Sequence, residues 1–222
     1  MQANTCIDHR TRVGADRRLR TRRKLLQTAF QLFAEQGLDV PIIDLVIRQA
    51  GLSRGTFYNH FRCERELFLA VAAEVSNEIV SSVDSQVLLH DNAAVRVACG
   101  VTLCVQLAQR YPLVAAFLVK GGAQAVFAGG GATNAIARDV QMGLKAGLFT
   151  LSDLALAIDL VLGPVLCTFG SLLQRPLSDA YVAELVGAIL RSLGIGSEEA
   201  ARVAALSFGQ PQPHEDSLFI GH

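Results

Sequence analysis

Two short runs of helical periodicity, parted by one glycine, lie between Pro41 and Phe61. In the first, Ile43, Val46, Ile47 and Ala50 recur at the spacing of one helix face and stop at Gly51. That spacing marks an amphipathic helix, here over about Ile42–Ala50. Pro41 sits at its first turn, where a missing N–H does no harm. Ser53 then opens a second run that ends near Asn59 or His60, and a serine there caps a helix by accepting a free backbone N–H. Helix, glycine turn, helix over some twenty residues is the helix-turn-helix layout. A longer run precedes it: Leu25, Leu26, Ala29, Leu32 and Phe33 stop at Gly37, which predicts a helix over Thr21–Gln36 with a glycine C-cap. Another follows, from Cys63 or Glu64 through Leu67, Phe68, Val71, Val75 and Ile79 to about Val83.

The rest of the chain keeps the helical period. Helices are predicted at Asn92–Arg110, Pro112–Gly121, Asn134–Gly147, Ser152–Leu173 and Ser178–Leu193, with a helix end followed by a mobile, glycine-rich loop over Ala123–Thr133. Ser152 and Ser178 are each followed by an aspartate in the first turn, which suits the helix dipole. Pro164 is expected to kink its helix. No stretch alternates with period two, so the expected class is all-α, with about nine helices. The expected organisation is a loose arm at 1–16, a three-helix module at 17–66, a helical domain at 67–208 and a disordered tail at 209–222 carrying Pro211 and Pro213. A hydrophobic content of 51% in 222 residues supports a sizeable core. The run Leu154–Leu173 is long enough to span a bilayer. Asp159, Gly163–Pro164 and the absence of a basic flank make it a buried protein helix instead.

Net charge is zero, but it is unevenly spread. Residues 10–62 hold 11 Lys/Arg against 4 Asp/Glu, and Arg17–Lys24 packs six basic side chains into eight positions. Positive charge therefore gathers where a phosphate backbone can be met. The five cysteines (Cys6, Cys63, Cys99, Cys104, Cys167) form no CxxC pair, which fits buried, inert thiols in a reducing cytoplasm. No GxSxG, Walker, GxGxxG or HExxH motif is present, and the five histidines are dispersed. The expectation is a protein without catalytic residues, cofactor or metal, and without a membrane span.

The segment Gln49-Ala-Gly-Leu-Ser-Arg-Gly-Thr-Phe-Tyr-Asn-His-Phe61 resembles the DNA-binding signature of the TetR family of transcriptional regulators. Phe33–Gly37, the fourteen-residue step from Gly37 to Gly51, and Glu66-Leu67 also sit where that family has them. Recognition helices meet base edges with their N-terminal residues, here Arg54, Gly55 and Thr56. Arg54 can pair with guanine O6 and N7, and the Thr56 methyl can meet a thymine methyl. Tyr58, His60 and Arg62 resemble the family's phosphate-contacting positions, Asn59 adds a base contact, and Arg22 in the basic run reaches backbone or an adjacent groove. Two positions depart from the family. Neither Pro41 nor Ile42 can donate the phosphate bond of the usual threonine, and Glu64 replaces the usual lysine. They imply few phosphate contacts and a shallow salt dependence. They also keep open a second reading, a helical ligand-binding or interaction module that has lost specific DNA binding.

The resemblance further implies an operator in double-stranded DNA, a small-molecule effector bound among helices four to eight, and a homodimer, together a repressor that ligand releases. Tyr111, Phe117, Phe127, Arg138, Met142 and Phe149 are the candidate pocket residues. For the dimer, the last helix carries one apolar stripe of Tyr181, Leu185, Ile189 and Leu193 and a second beside it, and one of the two can face a partner. Leu160, on the apolar helix before it, joins the candidate interface.

Overall fold

The computed structural model describes residues 4–220, with side chains from residue 12 onward. Among the described residues there is no strand. The helices are α1 (Asn4–Gln36), α2 (Ile43–Ala50), α3 (Arg54–Tyr58), α4 (Glu64–Val87), α5 (Ala93–Arg110), α6 (Pro112–Phe127), α7 (Gly131–Lys145), α8 (Leu154–Leu172), α9 (Asp179–Ser192) and α10 (Ser197–Ala204). The all-helical class follows the periodicity. The helix count exceeds the expected nine by one, because the eight-residue α10 is too short for its period to stand out.

The turns behave as their residues require. Gly51 takes the left-handed conformation (φ 60°) that glycine adopts without a Cβ clash, and the Leu52 N–H donates to the Ile47 carbonyl at 3.0 Å. Ser53 Oγ accepts the Thr56 N–H at 3.1 Å, and Ser178 Oγ that of Tyr181 at 3.2 Å. At α8 the cap is Asp153 rather than Ser152: its Oδ1 accepts from Ala155 at 2.7 Å. A carboxylate there also meets the positive end of the dipole.

α1 begins at Asn4, not Thr21, so the arm expected to be loose is helical from there; residues 1–3 lie outside the described residues. Residues 12–20 are all exposed. Straight-chain arginines favour the helix, but with nothing to bury they leave no apolar stripe in the sequence. α6 breaks at Gly122 (φ 54°, ψ −146°) and resumes to Phe127, which forms the helix end expected ahead of the glycine-rich loop. α8 runs through Pro164 as one helix.

The tail also departs from expectation. It folds back along α4, and only residues 221–222 of it lie outside the described residues. The Gln212 N–H donates to the Ser82 carbonyl at 2.8 Å. The Glu78 carboxylate accepts the Ser217 hydroxyl and, at 2.9 Å, the Leu218 N–H. Burial pushes the Glu78 carboxyl above its usual range, although these hydrogen bonds oppose the shift. Leu218 and Phe219 are buried, with the Phe219 ring 6.2 Å from that of Phe30 and 6.1 Å from that of Tyr111. Prolines exclude a helix here; they do not exclude packing.

One continuous core runs from Leu25 to Phe219. Its junction is Phe117 of α6, whose ring lies 5.6 Å from Phe30 and 6.4 Å from Phe33 of α1, and 5.7 Å from Phe68 of α4. Lys120, one turn on, donates to the Glu35 carbonyl at the end of α1. The N-terminal module is therefore seated on α6. Because Phe219 joins this core, Phe219→Ala is expected to cost about 3 kcal/mol of unfolding free energy. Urea denaturation checks this, and a loss below about 0.5 kcal/mol, the range of an ordinary surface substitution, would mean that the tail does not hold the core.

Candidate nucleic-acid interface and ligand cavity

α3 is anchored from below and open above. Phe57 and Phe61 are buried, and the Arg22 guanidinium lies over the Phe61 ring at 5.4 Å. Arg22, expected at the DNA, makes a cation–π contact with Phe61 just past the end of α3. The opposite face presents Arg54, Gly55, Tyr58 and Asn59 to solvent, with Thr56 and His60 half-buried beside them. The Tyr58 ring stands edge-on to Phe57 at 5.3 Å. Arg62 is exposed past the end of α3; its N–H donates to Glu66 at 2.8 Å and so fixes the turn into α4.

Two features escaped sequence reasoning. The Arg54 side chain, 66% exposed, is paired with Asp44 of α2. The ten-residue separation spans a turn whose geometry only the fold supplies. In addition, Arg17, Arg18 and Thr21 of α1 line one groove with Thr56, Asn59 and His60. Their i, i+1, i+4 spacing was a legible signal for one helix face, but the facing partner was not. Burial, followed by the charges of Arg18 and Arg22, holds the His60 imidazole below its usual pKa. His60 is therefore neutral at pH 7 and set in a cationic surround.

Glu64 has a structural task. Its carboxylate accepts the Ile42 N–H at 3.3 Å, and the Ile42 side chain is fully buried. A carboxylate from the start of α4 thus serves the end of α2 that lacks a side-chain cap of its own. The two departures from the family pattern are coupled to each other.

A cavity of about 90 Å³ lies between α4, α5, α7 and α8. Ile79 and Val83, Val97 and Val101, Ile136 and Val161 form its apolar walls. At its polar end, Arg138 of α7 donates to both oxygens of Asp84 on α4 (2.9 and 2.8 Å) and to both of Asp139 (2.9 and 2.8 Å). Arg96 of α5 donates to Asp139 at 3.2 Å and to the His90 carbonyl at 2.6 Å. These carboxylates hold the Arg138 guanidinium charged well beyond its ordinary range. Cys104 also lines the cavity; burial pushes its thiol up to about 12, and that of Cys99 up to about 11, so both are neutral. Cys63 and Cys167 are exposed, contrary to the expectation of burial, and the side chain of Cys6 lies outside the described residues.

Of the six pocket candidates, Arg138 alone lines this cavity. Phe117 belongs to the aromatic junction, Tyr111 packs near Phe219, and Phe149 rests on Gly143. Phe127 is exposed and Met142 packs against the core. The aromatics were candidates for their size, and size drew most of them into the core instead.

The outer surface of α8 is mainly apolar, with one carboxylate upon it. Leu156, Asp159, Gly163 and Cys167 are exposed, with Leu160 half-buried. The expected buried helix is thus uncovered on one side, and by length and composition alone it is apolar enough to cross a membrane. On α9, Tyr181 and Leu185 are half-buried, the former beneath Arg175 at 5.0 Å. Ile189 and Leu193, expected at the same interface, are buried within their own subunit. A stripe on an isolated helix does not say which of two neighbours it faces.

Comparison with known proteins matches residues 25–71 to the bacterial regulatory proteins of the tetR family and residues 91–206 to the tetracyclin repressor-like C-terminal domain. An HTH-type transcriptional repressor from Mycobacterium tuberculosis is 36% identical over 63 residues, 28% of this chain and 34% of that protein. The regulator SrpR of Pseudomonas putida is 36% identical over 53 residues, 24% of this chain and 25% of that protein. These curated relatives are matched over a third of their length or less. The crystal structure of RolR in complex with resorcinol is 26% identical, with a TM-score of 0.69, over 89% of this chain and all of that one. A structure from Shewanella sp. PV-4 is 19% identical with a TM-score of 0.71, over 79% of this chain and 99% of that one. With its C-terminal domain alone matched over more than half its length, the chain belongs to the TetR family of bacterial transcriptional regulators.

Proposed function

We propose that the protein is a homodimeric repressor that reads an operator through α3 and is released from it by a small molecule bound between α4, α5, α7 and α8. It acts in the cytoplasm, where the chromosome is, by binding and not by catalysis. The observation that carries this reading is the open α3 surface: Arg54, Gly55 and Thr56 stand in its first turn, flanked by the Arg17–Arg18 groove. The first turn addresses base edges, and the groove suits phosphate. Exposed ion pairs are weak, so DNA can take Arg54 from Asp44 at little cost. Because Glu64 accepts the Ile42 N–H, its presence has a structural reason, and the reading of a module that has lost DNA binding loses part of its support.

Small-molecule release is supported by the cavity against α4 and by RolR, solved with resorcinol. Dimerisation is supported by α8, whose apolar outer face requires cover. Gly163 and Cys167 let a partner helix approach closely, and Tyr181 and Leu185 of α9 flank the same surface.

Selection of genomic fragments, followed by anisotropy titrations at two salt concentrations, tests DNA binding. Arg54→Ala is expected to weaken specific binding roughly tenfold to a hundredfold, mainly at one base of each half-site. Equal loss on random DNA contradicts base reading. Phosphate beside His60 restores the proton that its present surroundings disfavour, so binding takes up a proton. Affinity is expected to rise as pH falls from 7.5 to 6, and His60→Gln to flatten that slope; an unchanged slope removes His60 from the contact. Leu160→Glu is expected to yield a folded monomer in analytical ultracentrifugation. By contrast, Ile189→Glu is expected to destabilise the subunit itself by about 3–5 kcal/mol, as burial of an unpaired charge does. A dimeric Leu160→Glu variant moves the interface off α8.

A further inference from the structure

The cavity's polar end specifies the chemistry of what can occupy it. Asp84, Arg96, Arg138 and Asp139 carry two negative and two positive charges, and each guanidinium is already paired with a carboxylate. The cluster is neutral and internally matched. A ligand carboxylate would add a negative charge with no cation left to neutralise it, against walls that are otherwise aliphatic. A ligand cation would find both carboxylates held by guanidinium groups and no aromatic ring among the lining residues to receive it. What remains unused is acceptor capacity. Each Asp84 oxygen takes one N–H from Arg138 and keeps a second lone pair. The group that completes the site is a neutral O–H.

Size adds a mechanical condition. A void of about 150 Å³ admits benzene, and this cavity is about 90 Å³. A ring-sized ligand must therefore part the walls. The walls are α4 and α5 on one side and α7 and α8 on the other. α4 and α7 are tied across the cavity's polar end by the Arg138–Asp84 pair, and nearer the start of α4 by the Ala132 N–H donating to Ser76 Oγ at 3.0 Å. The Ser76 tie meets the cavity only through Ala132, since Ser76 does not line it, whereas both partners of the Asp84 tie do. A hydroxyl that donates to a free lone pair of Asp84 shares that carboxylate with Arg138 and so loosens the polar link between α4 and α7 that borders the cavity. α4 starts six residues after Tyr58, the last residue of α3, so its displacement is passed to the DNA-reading helix.

We infer that the effector is a small neutral hydroxylated compound of about one ring, whose hydroxyl donates to Asp84 beside Arg138 and whose bulk wedges α4 away from α7. This rests on the effector reading of the cavity proposed above. Charged ring compounds are excluded by the matched cluster, and unsubstituted hydrocarbons bind only through the aliphatic walls.

Isothermal titration of the full-length protein at pH 7 with phenol, benzene and benzoate tests it. Phenol is expected to bind at least tenfold more tightly than either of the others. Asp84→Asn, which removes the charged acceptor, is expected to weaken phenol at least fivefold and to leave benzene unchanged. Ala135→Phe, which fills the cavity from α7, is expected to abolish binding of all three, with folding checked by circular dichroism. A second reading comes from tryptophan fluorescence after Leu88→Trp at the end of α4: phenol is expected to change it in the parent protein and not in the Asp84→Asn background. Benzoate or benzene binding as tightly as phenol overturns the inference and leaves the cavity as an effector site. So does an equal effect of Asp84→Asn on phenol and benzene. If none of the three binds, or Ala135→Phe changes nothing, the effector reading of the cavity falls as well.

Discussion

The packing of Phe117 against Phe30, Phe33 and Phe68 joins the two halves of the molecule. Three helices meet there: α1, which carries the basic face; α4, which follows the recognition helix; and α6, which belongs to the C-terminal domain. Close-packed aromatic rings transmit displacement because they have no slack to absorb it. The HTH module therefore cannot shift on its scaffold without moving either α4 or α6. The returning tail adds Phe219 to the same cluster and ties its own backbone to Glu78 of α4. α4 is thus held on two sides, by the tail along Glu78 and Ser82 and by the cavity along Ile79, Val83 and Asp84.

The polar groups follow one pattern in both functional regions. Arg54 is paired with Asp44, and Arg138 with Asp84 and Asp139. In each case an arginine is held by a carboxylate of a neighbouring helix, Asp44 of α2 for Arg54 and Asp84 of α4 for Arg138. The energetic settings differ. The Arg54 pair is exposed and therefore weak. The Arg138 cluster is partly buried, so its rearrangement is costly unless the newcomer satisfies what it exposes. The first setting favours easy exchange, and the second favours selectivity.

The recognition module was legible almost in full, because its signals are local. Gly51 closes α2 by backbone conformation, Ser53 caps α3 through its own hydroxyl, and Arg54 to Thr56 follow at fixed offsets. The C-terminal site was not, because apolar residues on an amphipathic helix do not state which neighbour they meet. Phe117 and Met142 were plausible cavity walls until packing placed them in the core, and Ile189 was a plausible interface residue until it turned inward. Only Arg138 was recovered, since a charged pair in an apolar helix calls for a partner wherever it lies.

From its residues alone, then, the chain determined an all-helical architecture, a helix-turn-helix with its first-turn arginine, and a basic N-terminal run. Each depends on interactions within a few residues. Tertiary structure decided that Glu64 serves α2, that the tail is packed, that a small cavity with a neutral charged cluster adjoins α4, and that α8 carries the uncovered face. Those contacts join residues far apart in the chain, whose meeting is set by the packing of whole helices and leaves no short-range mark in the sequence.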